Sequence, residues 1–121
     1  MRLKCRSAAI FWGILLLSSG LAQAMPNPVA SRRIEVDAKR FEFAPAEITL
    51  KKGESVVLVL KSVDVAHGIR FKDLAIEARA AKGKTSEINF TPEKLGTFVG
   101  HCSVFCGAGH GVMTLTIHVV E

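Results

Sequence analysis

Four side chains near the C-terminus carry the donors of a soft metal site: Cys102, Cys106, His110 and Met113. The cysteines are four residues apart, the histidine follows four after the second, and the methionine three after that. Thiolate and thioether favour a soft ion such as Cu(I), and imidazole suits copper in either oxidation state, so the donor set points to copper. Gly107, Gly109 and Gly111 surround Ala108 and His110. They let the backbone turn sharply, and a tight loop rather than a helix is expected here.

Such a loop still needs a second imidazole. His67, in Asp64-Val65-Ala66-His67-Gly68 between two strand-like runs, is the expected distant ligand. His118 falls on the face of the last strand opposite Met113, Leu115 and Ile117 and should point to solvent. His101 alternates away from Cys102 and reads as a neighbour of the site, not a ligand. Asp64 reads first as a solvated carboxylate that favours the turn. Its second reading is a group that orients His67. The plain alternative to a metal site is a disulfide between Cys102 and Cys106. It would close a very short loop, where a disulfide stabilises least, and it gives no reason for His110 and Met113 at these offsets.

The elements that must hold these residues are short and β-like. Ile34, Val36 and Ala38 alternate with charged residues, as do Phe41 and Phe43 until Pro45 breaks the run. Glu47 to Leu50 reads as a half-buried strand. Val56 to Leu60 is continuously apolar and reads as a strand covered on both faces. Ile69 and Phe71 begin another strand, and Leu74 to Ala81 is strand or irregular. Ser86, Ile88 and Phe90 alternate with polar residues. Thr91 to Gly96 is a turn or one helical turn capped by Thr91, with Pro92 at its first position. Thr97 to Gly100 is a strand leading into the loop, and Met113 to Val120 is the last strand. About seven or eight short strands with regular turn signals make an all-β sandwich.

The N-terminus has a different character. Arg2, Lys4 and Arg6 precede the uncharged apolar run Ala8 to Leu17, and Ala22-Gln23-Ala24 is a small-x-small cleavage signal. Residues 1–24 therefore read as a signal peptide, 25–33 as a flexible lead-in and 34–121 as one domain. A membrane anchor needs about 20 apolar residues, so the chain stays membrane-anchored only if the signal is not cleaved. Cleavage leaves 97 residues, enough for one core. The net charge of +5 falls to +2, because three of the 16 basic residues leave with the signal. No basic block remains, so nucleic acid is not an expected partner. Cys5 and Trp12 also lie in the leader. Hydrolytic chemistry has little support: Ser103 has no carboxylate near it in the chain, and no glycine-rich phosphate loop opens a helix.

Gly96 to Met113 resembles the copper A (CuA) loop of cytochrome c oxidase subunit II, a loop type shared with nitrous oxide reductase. Asp64-Val65-Ala66-His67 is similar to that family's Asp-Val-x-His segment, and Ile34 to Val120 resembles, more loosely, a cupredoxin domain. The resemblance implies a cupredoxin-like Greek-key β-sandwich and a binuclear copper centre. Cys102 and Cys106 would bridge both coppers, His67 and His110 would bind one each, and Met113 and the Val104 carbonyl would be weak ligands of one copper each. Oxidase subunits usually have glutamate where Val104 stands, with a side chain that contacts a metal shared with the catalytic subunit. Valine keeps the carbonyl and lacks that contact. They also carry transmembrane helices ahead of this domain and a tryptophan-containing aromatic patch for cytochrome c. The expected mature chain has neither. Phe105 and the apolar rim around His110 are the candidate electron-access points, with Phe105 equally readable as core.

The resulting expectation is a periplasmic or secreted one-electron carrier that does no bond chemistry by itself. Its partner would be a redox protein such as a c-type cytochrome or an oxidase. A copper carrier, delivering the ion to a copper-receiving protein such as an oxidase under assembly, would use the same ligands. A mononuclear blue-copper site of His67, Cys106, His110 and Met113 is the remaining copper reading. It leaves Cys102 as a free thiol beside the metal, open to oxidation.

Overall fold

The computed structural model describes residue 20 and residues 31–121. Apart from residue 20, the expected signal peptide lies outside the described residues, as does most of the expected lead-in. Nine strands are present among the described residues: β1 (Arg32–Lys39), β2 (Glu42–Ala44), β3 (Glu47–Lys51), β4 (Val56–Ser62), β5 (His67–Phe71), β6 (Ile76–Ala80), β7 (Thr85–Phe90), β8 (Gly96–His101) and β9 (Thr114–Val120). They form a four-stranded sheet in the order β2-β1-β4-β7 and a five-stranded sheet in the order β3-β9-β8-β5-β6. This is the expected sandwich with one strand more than the upper count. The run from Ile34 through Phe43 folds back at Arg40, so β1 and β2 pair antiparallel, with Ala38 opposite Phe43. β1 begins at Arg32, two residues before the expected domain boundary.

The alternation read from the sequence is what fills the space between the sheets. Val36, Ala38, Leu58, Leu60 and Ile88 from one sheet meet Leu50, Ile69, Phe71, Leu115 and Ile117 from the other, all in one buried cluster. Residues two apart on a strand share a face, so each strand contributes every second side chain. β4 shows why its run is apolar throughout. Leu58 and Leu60 face the core, while Val59, on the other face, is only 3% exposed. In register it lies between Glu35 of β1 and Glu87 of β7, and Glu87 pairs with Arg33 at 2.8 Å. Truncating a fully buried residue such as Ile117 to alanine would cost about 2–5 kcal/mol.

The topology gathers three connections at one end. β1 and β4 are parallel, so the β1–β2 turn and the β4–β5 loop leave from the same edge. β5 runs antiparallel to β8, which places the start of β5 beside the end of β8. The β8–β9 loop therefore emerges next to the other two. Val63 N–H donates to the Ala38 carbonyl at 2.9 Å, and Ser103 N–H to the Gly68 carbonyl at 3.3 Å, fastening these connections to one another. Gly100, near the end of β8, lies against the Phe71 ring, where a Cβ would come within 2.6 Å of ring carbons.

Three local expectations differ from the structure. Thr91 to Leu95 forms no helical turn. The Pro92 carbonyl instead accepts the Gly53 N–H at 2.8 Å, tying this segment to the β3–β4 turn. His110–Val112 makes one 3-10 turn inside what was expected to be a helix-free loop. Met113 lies just before β9 and not within it; its carbonyl accepts the Cys102 N–H at 3.2 Å and closes the loop at its neck.

Candidate metal centre

The start of β5 and the β8–β9 loop bring all six expected ligand positions together. The two sulfurs lie 3.9 Å apart as free thiols, not as a disulfide. Around Cys102 Sγ stand the Val104 carbonyl oxygen at 3.2 Å and His67 Nδ1 at 4.0 Å. Around Cys106 Sγ stand Met113 Sδ at 3.4 Å and His110 Nδ1 at 3.8 Å. The donors thus divide into two sets, each with one imidazole and one weak donor, on either side of a pair of sulfurs. His67, Cys102 and Cys106 alone place their donor atoms within 4.8 Å of one another.

This arrangement fits copper on the chemistry of its donors. A metal–thiolate bond is about 2.3 Å, and the sulfur separation is less than twice that, so one ion can touch both sulfurs. Imidazole, thiolate and thioether are the set that copper prefers over harder cations. Cys102, Cys106, Met113 and His67 are all buried, the last two fully so. Burial keeps water from competing for the donors and fixes their positions.

Each donor is held by its own neighbours. His67 is the first residue of β5, and its amide donates to Ser62 Oγ at 3.1 Å. The Ser62 hydroxyl in turn donates to the Ala80 carbonyl at 2.8 Å. The His67 ring meets Asp64 Oδ1 through Nε2 at 2.8 Å. A proton on Nε2 leaves the Nδ1 lone pair facing Cys102, the form a metal requires. Asp64 is thus the group that orients His67, and the favoured reading of it as a merely solvated loop carboxylate is corrected. Its carboxyl is held well below the usual range, first by the Arg40 amide and then by the His67 ring. Asp64 Oδ2 accepts that Arg40 amide at 2.8 Å, and Oδ1 also accepts the Val65 amide at 2.8 Å.

The Cys106 thiol is protonated in the metal-free protein at neutral pH. Burial pushes its pKa up to about 11, and the neighbouring Cys102 adds to the effect. Metal loading must therefore displace the Cys106 proton.

His101 is exposed at the end of β8, whereas the next residue, Cys102, is buried. His118 is half-exposed on β9, where its Nδ1 is 3.2 Å from Thr97 Oγ1. Phe105 is 79% exposed and so is not core. Its ring lies 5.6 Å from that of His110, centroid to centroid. Val112, 74% exposed, adds to an apolar rim on this side. Ser62 and Arg40 were not singled out in the sequence. No local spacing marks Arg40, which lies 24 positions from Asp64 and 66 from Cys106.

Comparison with known proteins adds the following. A family model described as a cupredoxin-like domain matches residues 7–115. The chain is 37% identical over 72 residues to a probable cytochrome c oxidase subunit 2 of Streptomyces coelicolor, covering 60% of this chain and 23% of that protein. It is 29% identical over 107 residues to cytochrome c oxidase subunit 2 of Cereibacter sphaeroides, covering 86% of this chain and 35% of that protein. The match thus spans about a third or less of the length of these two relatives. Among solved structures, the periplasmic domain of subunit II of cytochrome oxidase from Bradyrhizobium japonicum superposes with a TM-score of 0.70 at 22% identity, covering 78% of this chain and 87% of that one. At that identity the likeness speaks for the fold.

Proposed function

The chain belongs to the cupredoxin-like domain family, and from that premise we propose that it is an electron-transfer protein with a CuA-like binuclear copper centre, acting in the periplasm or on its membrane face. One observation carries the proposal: a pair of thiols 3.9 Å apart, flanked on each side by one imidazole and one weaker donor. Cys102 and Cys106 would serve both ions. His67 and His110 would bind one each, with Met113 and the Val104 carbonyl as weak ligands. Copper bound there would supply a one-electron couple shared over two ions.

The protein's own residues supply the rest. Strands β8 and β9 grip the ligand loop from both ends, so a change of charge at the centre needs little movement of the donors. Asp64 fixes the His67 tautomer, and the core around Met113 and the two cysteines excludes water. Partly exposed His110, with Phe105 and Val112 beside it, is the face through which an electron would pass to a partner. The partner is a redox protein such as a c-type cytochrome or an oxidase. Valine at position 104 lacks the carboxylate expected of a working oxidase subunit, which favours a role outside an oxidase core. Among the described residues no helix is long and apolar enough to cross a membrane.

A copper-delivery role would use the same donors; a mononuclear site would use only His67, Cys106, His110 and Met113, and Cys102 separates it from the binuclear reading. Copper content and optical spectrum of Cys102→Ser test the proposal. The variant should lose one copper and the purple colour. Unchanged stoichiometry and colour would sink the binuclear reading.

A further inference from the structure

Arg40 is not among the expected ligands, yet it touches both ligand loops. Its amide donates to Asp64 Oδ2 at 2.8 Å, on the loop that leads into His67. Its side-chain Nε donates to the Cys106 carbonyl at 3.0 Å, on the other loop. The next residue, Phe41, continues the contact. A Cβ on Gly107 would lie 3.0 Å from the Phe41 ring, and one on Gly109 would run into it. Gly107 has φ +137°, a conformation that side-chain-bearing residues rarely adopt. The loop therefore lies with bare backbone against the Arg40–Phe41 turn.

That turn comes from the opposite sheet. It joins β1 to β2, and β1 is paired along seven register positions with β4. β1 is thus a firm base, whereas the ligand loop from Cys102 to Met113 contains only one short 3-10 turn of its own. We infer that Arg40 is a positioning residue for the metal centre: its guanidinium clamps the Cys106 backbone while its amide fixes Asp64, so that one turn sets the spacing of the His67 and Cys106 halves. The metal part of this inference rests on the proposed copper centre; the clamp itself stands on the protein's hydrogen bonds.

Two variants separate the hydrogen bond from the charge. Arg40→Lys keeps the cation and loses the Nε donor; Arg40→Ala loses both. In the metal-free protein, amide hydrogens of His110 and Val112, which are bonded within the loop at 3.1 Å each, should exchange about fivefold faster in both variants, the worth of roughly one hydrogen bond. In the copper-loaded protein, loss of copper to a chelator should be about 10- to 100-fold faster in both, as for other residues that support ligands. Wild-type exchange rates or wild-type copper retention in Arg40→Ala overturn the inference. So does an Arg40→Lys variant that behaves as wild type while Arg40→Ala does not, because charge would then be the cause. Should Arg40→Ala fail to fold, Arg40→Lys decides by the same two readouts. A wild-type protein that takes up no copper refutes the proposed function instead, and the exchange rates still decide on the clamp.

Discussion

Replacing Asp64 with asparagine keeps the shape of the side chain and changes what it can accept. The carboxylate takes three hydrogen bonds at 2.8 Å, from His67 Nε2 and the Val65 amide on Oδ1 and from the Arg40 amide on Oδ2. Asparagine has one oxygen. If it faces His67 and Val65, its NH2 group meets the Arg40 N–H, donor against donor. If it faces Arg40, the Val65 amide loses its acceptor, and the His67 ring is driven to carry its proton on Nδ1, the nitrogen beside Cys102. Either orientation leaves at least one unmade bond, at a cost of about 1–3 kcal/mol. In binding terms that is roughly 5- to 150-fold. Residues that hold a ligating histidine are typically worth about 10- to 100-fold in metal affinity, which narrows the expectation to that interval. The assay is competition with a chelator at neutral pH, Asp64→Asn against wild type, with the metal-free melting temperature as a control for folding. Because the Asp64 carboxyl sits far below the usual range, it stays charged across pH 5–8, and its contribution to copper retention should be flat there. Copper retention within twofold of wild type would refute the reasoning that Asp64 sets the His67 tautomer.

Two further outcomes follow from packing and charge. Gly100→Ala places a methyl group within 2.6–2.8 Å of the Phe71 ring, which is 1% exposed and cannot withdraw. Overpacking of about 1–3 kcal/mol should lower the melting temperature by roughly 5–20 °C, and an unchanged melt would show that the ring has room. Glu77 is held at about 2, below an ordinary value of 4.5, first by Arg70 and then by Arg79, each in contact at 2.8 Å. A depressed carboxylate stabilises the fold above its unfolded value and loses that contribution as pH falls. The melting-temperature gap between wild type and Glu77→Gln should therefore be present at pH 7 and narrow from pH 4.5 toward pH 2. High salt should shrink it, since these groups are exposed. A gap that does not change with pH would contradict the assignment.

Much of the fold was legible because its signals are local. Alternation at Val36 and Ala38 or at Leu115 and Ile117 is a two-residue pattern, and it marks the inward faces directly. The donors of the candidate site were legible for a related reason: Cys102, Cys106, His110 and Met113 lie within one short loop, and their chemistry is distinctive. Other features depend on contacts distant in sequence. The Arg40 bond to Cys106 joins two connections from different sheets, and nothing near Arg40 in the chain announces it. Asp64 was weighed in both roles, and only the meeting of Nε2 with Oδ1 decides between them. At Thr91-Pro92, expected to form a turn or one helical turn, no helical turn forms, and the Pro92 carbonyl instead takes a bond from Gly53, a partner that local propensity cannot supply. Phe105 shows the same limit from the other side. An aromatic residue between two buried cysteines has an apolar composition suited to core, but the loop turns it outward beside His110.

The central claim is that two thiols and their flanking donors hold two copper ions. Metal content of the purified, copper-reconstituted protein, measured with its optical and electron spin resonance spectra, tests it most directly. Two copper atoms per chain, a purple protein and a spectrum of strongly coupled ions are expected. One copper per chain with a blue colour, or no copper at all, would contradict it.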